Sequence, residues 1–384
     1  MNTIEELIQK ECPEGVEYKP LTTVANVLYG FPFESKLFSE DASYIPLIRI
    51  RDVVPAKPST YYTGEYDPLF IVHKGDILVG MDGNFNLEKW NDRDGLLNQR
   101  VVKLSSIDND NIILNNYLYH FLAPLFKEIE KTITGSTVKH LSAKMINSIE
   151  IPVPPLSVQH KIVEILDKFT SLEAELQAEL EARKKQYEYY RNQLLDFTGR
   201  EDVEWKTLPD ISTNCDSKRK PIKSSQREFG QFPYYGASGI VDYVDGYIFD
   251  GDYLLISEDG ANLLARSTKI AFSISGKNWV NNHAHVLKFN DDFLRKFVEY
   301  YVEHLDLTLY ISAGAQPKLT KDKLNKIPIP LPKEDEIKRI VTILDKFEAL
   351  INDQTASLAA EMKARHQQYE YYRDRLLTFS RKEN

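Results

Sequence analysis

The sequence predicts an α+β protein organised as a pseudo-two-fold tandem duplication. Two globular domains with mixed or antiparallel sheets are expected, separated by two long helices that form an antiparallel coiled coil. Three observations carry this prediction. Sequence blocks recur in the same order at a nearly constant offset, each recurrence ends in a long amphipathic stretch, and the segments between the blocks diverge into short strand-like runs.

The repeat is plain in the residues. Ile165-Leu166-Asp167-Lys168-Phe169 returns 178 positions later as Ile343-Leu344-Asp345-Lys346-Phe347. Ile149-Glu150-Ile151-Pro152-Val153-Pro154 corresponds to Ile327-Pro328-Ile329-Pro330-Leu331-Pro332 at the same offset. Gln186-Tyr187-Glu188-Tyr189-Tyr190-Arg191 returns as Gln368-Tyr369-Glu370-Tyr371-Tyr372-Arg373, now 182 positions on. Looser anchors join the fronts of the halves, where Gly75-Asp76 and Asp82-Gly83 resemble Gly251-Asp252 and Asp259-Gly260.

Each repeat ends in a helical pattern. Apolar residues at Ile162, Ile165, Phe169, Leu172, Leu176, Leu180, Tyr187, Tyr190 and Leu194 fall mostly three or four apart, on one stripe. Ile340, Ile343, Phe347, Leu350, Leu358, Met362, Tyr369, Tyr372 and Leu376 repeat it. Proline cannot continue a helix, so the starts fall just after Pro154-Pro155 and Pro332. A helix of about 36 residues spans about 54 Å, longer than either globular part, so its stripe needs a partner, and the other tail carries one. The coiled-coil contacts are assigned to Ile165, Phe169, Leu172, Tyr187, Tyr190, Ile343, Phe347, Tyr369 and Tyr372. The change of offset adds four residues to the second helix, about 6 Å of length and only about 40° of rotation, which keeps the stripe on its face.

The diverging parts mix strands and short helices. Asp76–Gly80, Asn98–Leu104, Tyr253–Ile256 and His285–Phe289 read as strands, and Leu114–Leu125 and Asp292–His304 as helices. The boundaries that follow are 1–155 for the first globular domain, 156–198 for the first helix, 199–333 for the second domain and 334–384 for the second helix.

Composition narrows the class. At 384 residues with 42% hydrophobic content, two cores are affordable. Acidic residues stand near the N-terminus where a signal peptide would carry Arg or Lys, and no apolar run approaches the ~20 residues that span a bilayer. Cys12 and Cys215 show no metal-ligand spacing, so a cytoplasmic protein with reduced thiols and no membrane contact is expected. A net charge of −9 weakens a nucleic-acid reading without excluding it, since local basic loops can still meet DNA.

Catalytic signatures are missing. No two of the 17 glycines are separated by a single residue, so a Gly-x-Gly cofactor loop is absent. Gly276-Lys277 is followed by Asn278, which is no P-loop, and Pro154-Pro155 sits between Val153 and Leu156, unlike an adenine-methyltransferase Asn-Pro-Pro-aromatic segment. His283 and His285 would face opposite sides of a strand, a poor metal pair, so Asn281-Asn282-His283-Ala284-His285 reads as a structural or DNA-contacting polar strand. Asp76, Asp82, Asp252, Glu258 and Asp259 read as turn residues, not as a Mg²⁺ cluster. No catalytic, cofactor or metal site is expected in this chain.

The arrangement resembles the specificity (S, HsdS-type) subunits of type I restriction–modification enzymes. The resemblance is carried by Ile151-Pro152-Val153-Pro154-Pro155-Leu156-Ser157-Val158-Gln159-His160-Lys161-Ile162-Val163, by Ile329-Pro330-Leu331-Pro332 and by Trp279-Val280-Asn281-Asn282-His283-Ala284-His285. The second copy departs in having Glu336 and Ile337 where the first has Val158 and Gln159. The resemblance implies two target-recognition domains, each reading one half of a split, asymmetric site in double-stranded DNA, with the helices as a ruler. It also implies docking of two methyltransferase (M) subunits and of nuclease-translocase (R) subunits. S-adenosylmethionine, ATP and Mg²⁺ would then belong to those partners.

With that implication the basic residues become DNA candidates. Lys218-Arg219-Lys220-Pro221-Ile222-Lys223 and Arg227 form the most basic run, suited to phosphates. Lys36, Arg49 and Arg51 are a weaker counterpart in the first domain. Lys139-His140 and Gln316-Pro317-Lys318 hold matching places ahead of the Pro-rich segments, where DNA contact competes with packing or capping. The tyrosines at 187–190 and their copies lie on more than one helical face, one for the coiled coil and another for an M subunit. A coiled-coil scaffold that binds only proteins is the competing class, disfavoured by the elaborate globular parts.

Overall fold

The computed structural model describes residues 2–107, 111–133, 139–312 and 317–383. Gln316 lies outside the described residues. The chain divides into two compact units, Met1–Gln177 with Ala360–Asn384, and Ala178–Ala359. Each unit therefore takes a share of both long helices.

In the first unit, an antiparallel four-stranded sheet runs in the order Ala25–Tyr29, Val101–Ser106, Ile77–Gly80, Leu87–Lys89. A five-stranded sheet is mixed, because Ile45–Ile48 pairs in parallel with Gly95–Leu97. Glu17–Pro20 pairs antiparallel with Glu150–Val153, the segment leading into the first long helix. Helix Asn115–Thr132 closes the core, with Tyr117, Leu118, Leu122 and Phe126 buried among Ile77, Val79, Val102 and Leu104. The strand expected over Asn98–Leu104 starts only at Val101. Arg100 adopts φ 71°, a left-handed conformation that ends strand geometry, so 98–100 form a turn.

The second unit repeats the plan. Thr213–Asn214, Ala284–Lys288, Tyr253–Ser257 and Ala271–Ile274 make the antiparallel sheet. Phe229–Gly236 pairs in parallel with Lys277–Val280 in a mixed sheet, and Glu204–Thr207 pairs with Pro328–Leu331. Helix Asp292–His304 supplies Phe297, Val298 and Tyr301 to a core with Leu254, Ile256 and Leu287.

The long helices run Leu156–Leu194 and Glu334–Leu376, 39 and 43 residues. In the first unit, Val158, Ile162 and Leu166 are buried in the core beside Tyr369 and Leu376 from the far end of the other helix and Leu377 and Phe379 just after it. Phe169 stacks on Tyr372 with centroids 5.4 Å apart, and Glu173 lies 3.2 Å from His366. Advancing along one helix means retreating along the other, so these segments pair antiparallel. Ile165 is half-buried against the same core, but Leu172 is 42% exposed. In the second unit, Ile340, Val341 and Leu344 are buried with Leu195 and Phe197, Ile343 is half-buried, Tyr187 packs at the edge, and Tyr190 stacks on Phe347 at 5.6 Å.

Polar contacts fix each helix to its unit. Asp167 accepts from the buried His120 ring at 2.7 Å, and the other ring nitrogen lies 3.0 Å from the Tyr369 hydroxyl. Asp345, the equivalent residue, accepts from Tyr300 at 2.6 Å. The departure between copies has a physical reason. Buried Gln159 accepts from Leu114 N–H and donates to the Ile112 and Pro154 carbonyls, whereas Ile337 simply packs and Glu336 pairs with Arg200 at 2.7 Å. The chain end also joins the first unit, where Val16 N–H donates to Ser380 and Lys382 N–H donates to Val16, both at 2.9 Å.

Candidate nucleic-acid interface

The basic run of the second unit is a loop held along the mixed sheet. Trp279 Nε1 donates to the Lys220 carbonyl at 2.6 Å, and Lys220 N–H donates to Val280 at 3.2 Å. Lys218, Lys220 and Lys223 are exposed on it. Arg219 turns inward, donating to Glu258 at 2.6 Å and to the Ala284 carbonyl at 2.8 Å, with Asp216 at 3.4 Å. Arg227 lies 4.5 Å over the Tyr234 ring and meets Asp242 at 3.2 Å. The run thus contains three outward lysines and two arginines engaged inside the unit.

In the first unit each candidate has its own local partner. Lys36 is exposed and paired with Glu34 at 2.6 Å. Arg49 precedes the short helix Ile50–Val53, with its guanidinium 5.8 Å from the Phe38 ring centroid. Arg51 donates to Ser59 at 3.0 Å and Thr60 at 2.9 Å, tying that helix to the following loop.

Lys139 and Lys318 belong to a substructure built the same way in both units. In the first, Met81 N–H donates to the Arg100 carbonyl (2.9 Å), Leu141 N–H to Met81 (2.7 Å) and Gly83 N–H to Lys139 (2.8 Å). In the second, Glu258 N–H donates to His283 (2.8 Å), Leu319 N–H to Glu258 (2.8 Å) and Gly260 N–H to Pro317 (3.1 Å). The segment after the central strand is thereby clamped between a turn, 98–100 or 281–283, and the residues before the Pro-rich lead-in. Gly83 (φ 76°) and Gly260 (φ 108°) make the reversal that a residue with Cβ resists.

Charge is arranged around this clamp. Asp82 lies 2.6 Å from His140 Nδ1 and 3.6 Å from Arg100 Nε. Asp259 lies 2.9 Å from His283 Nδ1, and Glu258 holds Arg219 and, at 3.1 Å, Lys318. Burial pushes the Glu258 carboxyl up, but hydrogen bonds from Arg219 and Lys318 and the charge of His285 outweigh it and keep it below the ordinary carboxylate value. Lys139 Nζ is 3.8 Å from Glu130. His285 is buried, with Asp216 at 2.7 Å and the Leu319 carbonyl at 2.8 Å, so it fastens the unit together while His283 stays exposed. Among the described residues no group of three or more His, Cys, Asp or Glu side chains could hold a metal ion.

Gln99 and Arg100 are not among the candidates read from the sequence, and Asn282 and His283 stand there only within a polar strand of structural or DNA-contacting character. All four are exposed, and each pair follows an asparagine, Asn98 or Asn281, that is 6% exposed. The available signal was faint: an asparagine followed by polar residues and a strand, in both halves. Reading Asn98–Leu104 as one continuous strand concealed it.

No described helix is long and apolar enough to cross a membrane. The family model for the type I restriction modification DNA specificity domain matches residues 13–182 and again 200–363. A specificity subunit of an Escherichia coli type I restriction enzyme is 33% identical over 348 residues, covering 84% of this chain and 85% of that one. A putative type I specificity subunit of Haemophilus influenzae is 40% identical over 180 residues, spanning 46% of each protein. The crystal structure of a type I restriction–modification S subunit from M. genitalium shares the fold at 16% identity, with a TM-score of 0.57 over 94% of this chain and 96% of that one. With its specificity domain present twice, the chain belongs to the family of type I restriction–modification DNA specificity subunits.

Proposed function

We propose that this chain supplies sequence specificity, and no catalysis, to a cytoplasmic type I restriction–modification complex. Each unit reads one half of a bipartite, asymmetric site in double-stranded DNA. What carries the reading is the pairing of one backbone plan with two different exposed side-chain sets, Gln99 with Arg100 in one unit and Asn282 with His283 in the other. Identical readers would suit a palindrome, and different readers suit two different half-sites.

The long helices serve as docking surfaces for two methyltransferase subunits, which bring S-adenosylmethionine. Nuclease-translocase subunits, with ATP and Mg²⁺, join them. Support comes from Tyr189 and Tyr371, equivalent residues that are 59% and 57% exposed, since large exposed aromatics repeated in both copies suit a repeated protein contact. Lys218, Lys220 and Lys223 supply phosphate contacts, as do Lys36, Lys139 and Lys318.

The test is DNA retention with and without the M subunit. With a net charge of −9 the chain alone is expected to bind DNA weakly, and addition of M to give tight, salt-sensitive, site-specific binding. Equal binding in both conditions contradicts the cooperative arrangement.

A further inference from the structure

We propose that the turns Gln99-Arg100 and Asn282-His283 are the base-reading points of the two units, each setting the sequence of one half-site. This rests on the DNA-reading function proposed above and assigns it to particular side chains.

Four observations converge. The turns are equivalent in position, since the residue after the central strand, Met81 or Glu258, donates its N–H to the carbonyl of Arg100 or His283. Their side chains are exposed, while the asparagine before each pair is buried. In the second unit His283 N–H donates to Asn281 Oδ1 at 2.8 Å, and the Asn281 N–H is held by the Tyr235 carbonyl at 3.0 Å. In the first, Gln99 N–H donates to Phe31 at 2.9 Å and Val101 N–H to Asn98 at 3.2 Å. A turn so fastened fixes the backbone from which its exposed side chains project.

The third observation is chemical. Arg and Gln or Asn are the side chains whose paired donors and acceptors match base edges, Arg to guanine O6 and N7, Gln or Asn to adenine N6 and N7. The two turns hold an Arg with a Gln, and an Asn with a His.

The fourth is conformational. Arg100 sits at φ 71°, where glycine is the favoured residue, and yet an arginine occupies it. Its guanidinium is 3.6 Å from Asp82 and over half exposed, an ion pair weak enough to open toward a base. Asp259 stands in the same relation to His283. Lys139 in the first clamp and Lys318 in the second place cations next to the turns, suited to flanking phosphates.

The experiment co-expresses the full chain with its M subunit in a methylation-free host and maps methylated sites genome-wide. Variants are Gln99→Ala, Arg100→Gly, Arg100→Lys, Asn282→Ala and His283→Ala. Glycine suits the left-handed backbone at 100, so Arg100→Gly removes the side chain and leaves the turn. Gln99 and Arg100 substitutions relax base preference about ten- to hundredfold at positions within one half-site and leave the other unchanged. Asn282 and His283 substitutions do the reverse. Arg100→Lys keeps the charge but loses the fork, and it relaxes the same position.

Unchanged preference in both half-sites, with site-specific methylation retained, overturns the assignment while leaving the specificity function intact. Uniform weakening at every site, or full rescue by Arg100→Lys, marks a phosphate contact and also overturns it. Absence of any site-specific methylation by the unsubstituted pair overturns the function itself, and the assignment with it.

Discussion

Asp167 and Asp345 hold the same place in the repeated Ile-Leu-Asp-Lys-Phe block, and each anchors a long helix through a different partner. Asp167 uses buried His120, which also reaches Tyr369, so one imidazole joins the globular part to both helices of its unit. Removing it leaves polar groups without a partner in a buried position. His120→Ala is expected to lower unfolding stability by about 1–3 kcal/mol, measured by denaturant titration. Burial pushes the Asp167 carboxyl up, yet the bonds from His120 and Asn116 and the charge of Lys89 outweigh it, so its pKa is depressed. A depressed pKa contributes stability that is present above the unfolded value, near 3.9, and is lost as pH falls through the folded value. The stability gap between the parent and Asp167→Asn therefore holds at neutral pH and closes below about pH 4. A gap that stays constant down to pH 2 contradicts this role.

The basic run separates in the same residue-by-residue way. Lys220 is exposed, whereas Arg219 is engaged by Glu258. Lys220→Ala should reduce the salt slope of DNA binding by about one phosphate contact and leave thermal stability unchanged. Arg219→Ala should lower the melting temperature, because Glu258 loses its nearest cation. Equal melting temperatures for the two variants would count against that division. Adjacent residues with the same charge gave no sign of this difference, since Arg219 turns toward a carboxylate 39 positions away.

At the level of elements, the long helices were legible because a stripe of one residue in three or four needs no knowledge of what covers it. Their starts were legible because Pro155 and Pro332 cannot lie inside them, and the observed helices begin at Leu156 and Glu334. The sheet order was not, because it depends on pairings such as Ile45–Ile48 with Gly95–Leu97, far apart in sequence. The turn at 98–100 was missed because its apolar neighbours and Val101–Ser106 gave a continuous strand signal, and only the backbone of Arg100 interrupts it. Leu172 belonged to the stripe by spacing, but exposure depends on what stands opposite, which spacing does not specify. Helix length carries a functional prediction. Inserting four residues between Leu172 and Leu180 adds about 6 Å with about 40° of rotation, so the packed stripe survives. The methylated site should then keep both half-sites and gain a different spacer. Altered half-sites with the original spacer contradict the ruler role.

For the molecule as a whole, duplication and divergence divide the labour. The helical ends are repeated closely and bury equivalent residues, Leu166 with Leu344 and Phe197 with Phe379. The exposed turns differ, and so do the surrounding groups, where Asp82 meets Arg100 and His140 in one unit and Asp259 meets His283 in the other. A chain with a net charge of −9 reads DNA only through such local arrangements. The most direct measurement of the central claim is the methylome of a host that expresses this chain with its M subunit. Two different half-sequences separated by a fixed, non-specific spacer are expected. A palindromic or continuous site, or methylation without a defined site, would contradict the account.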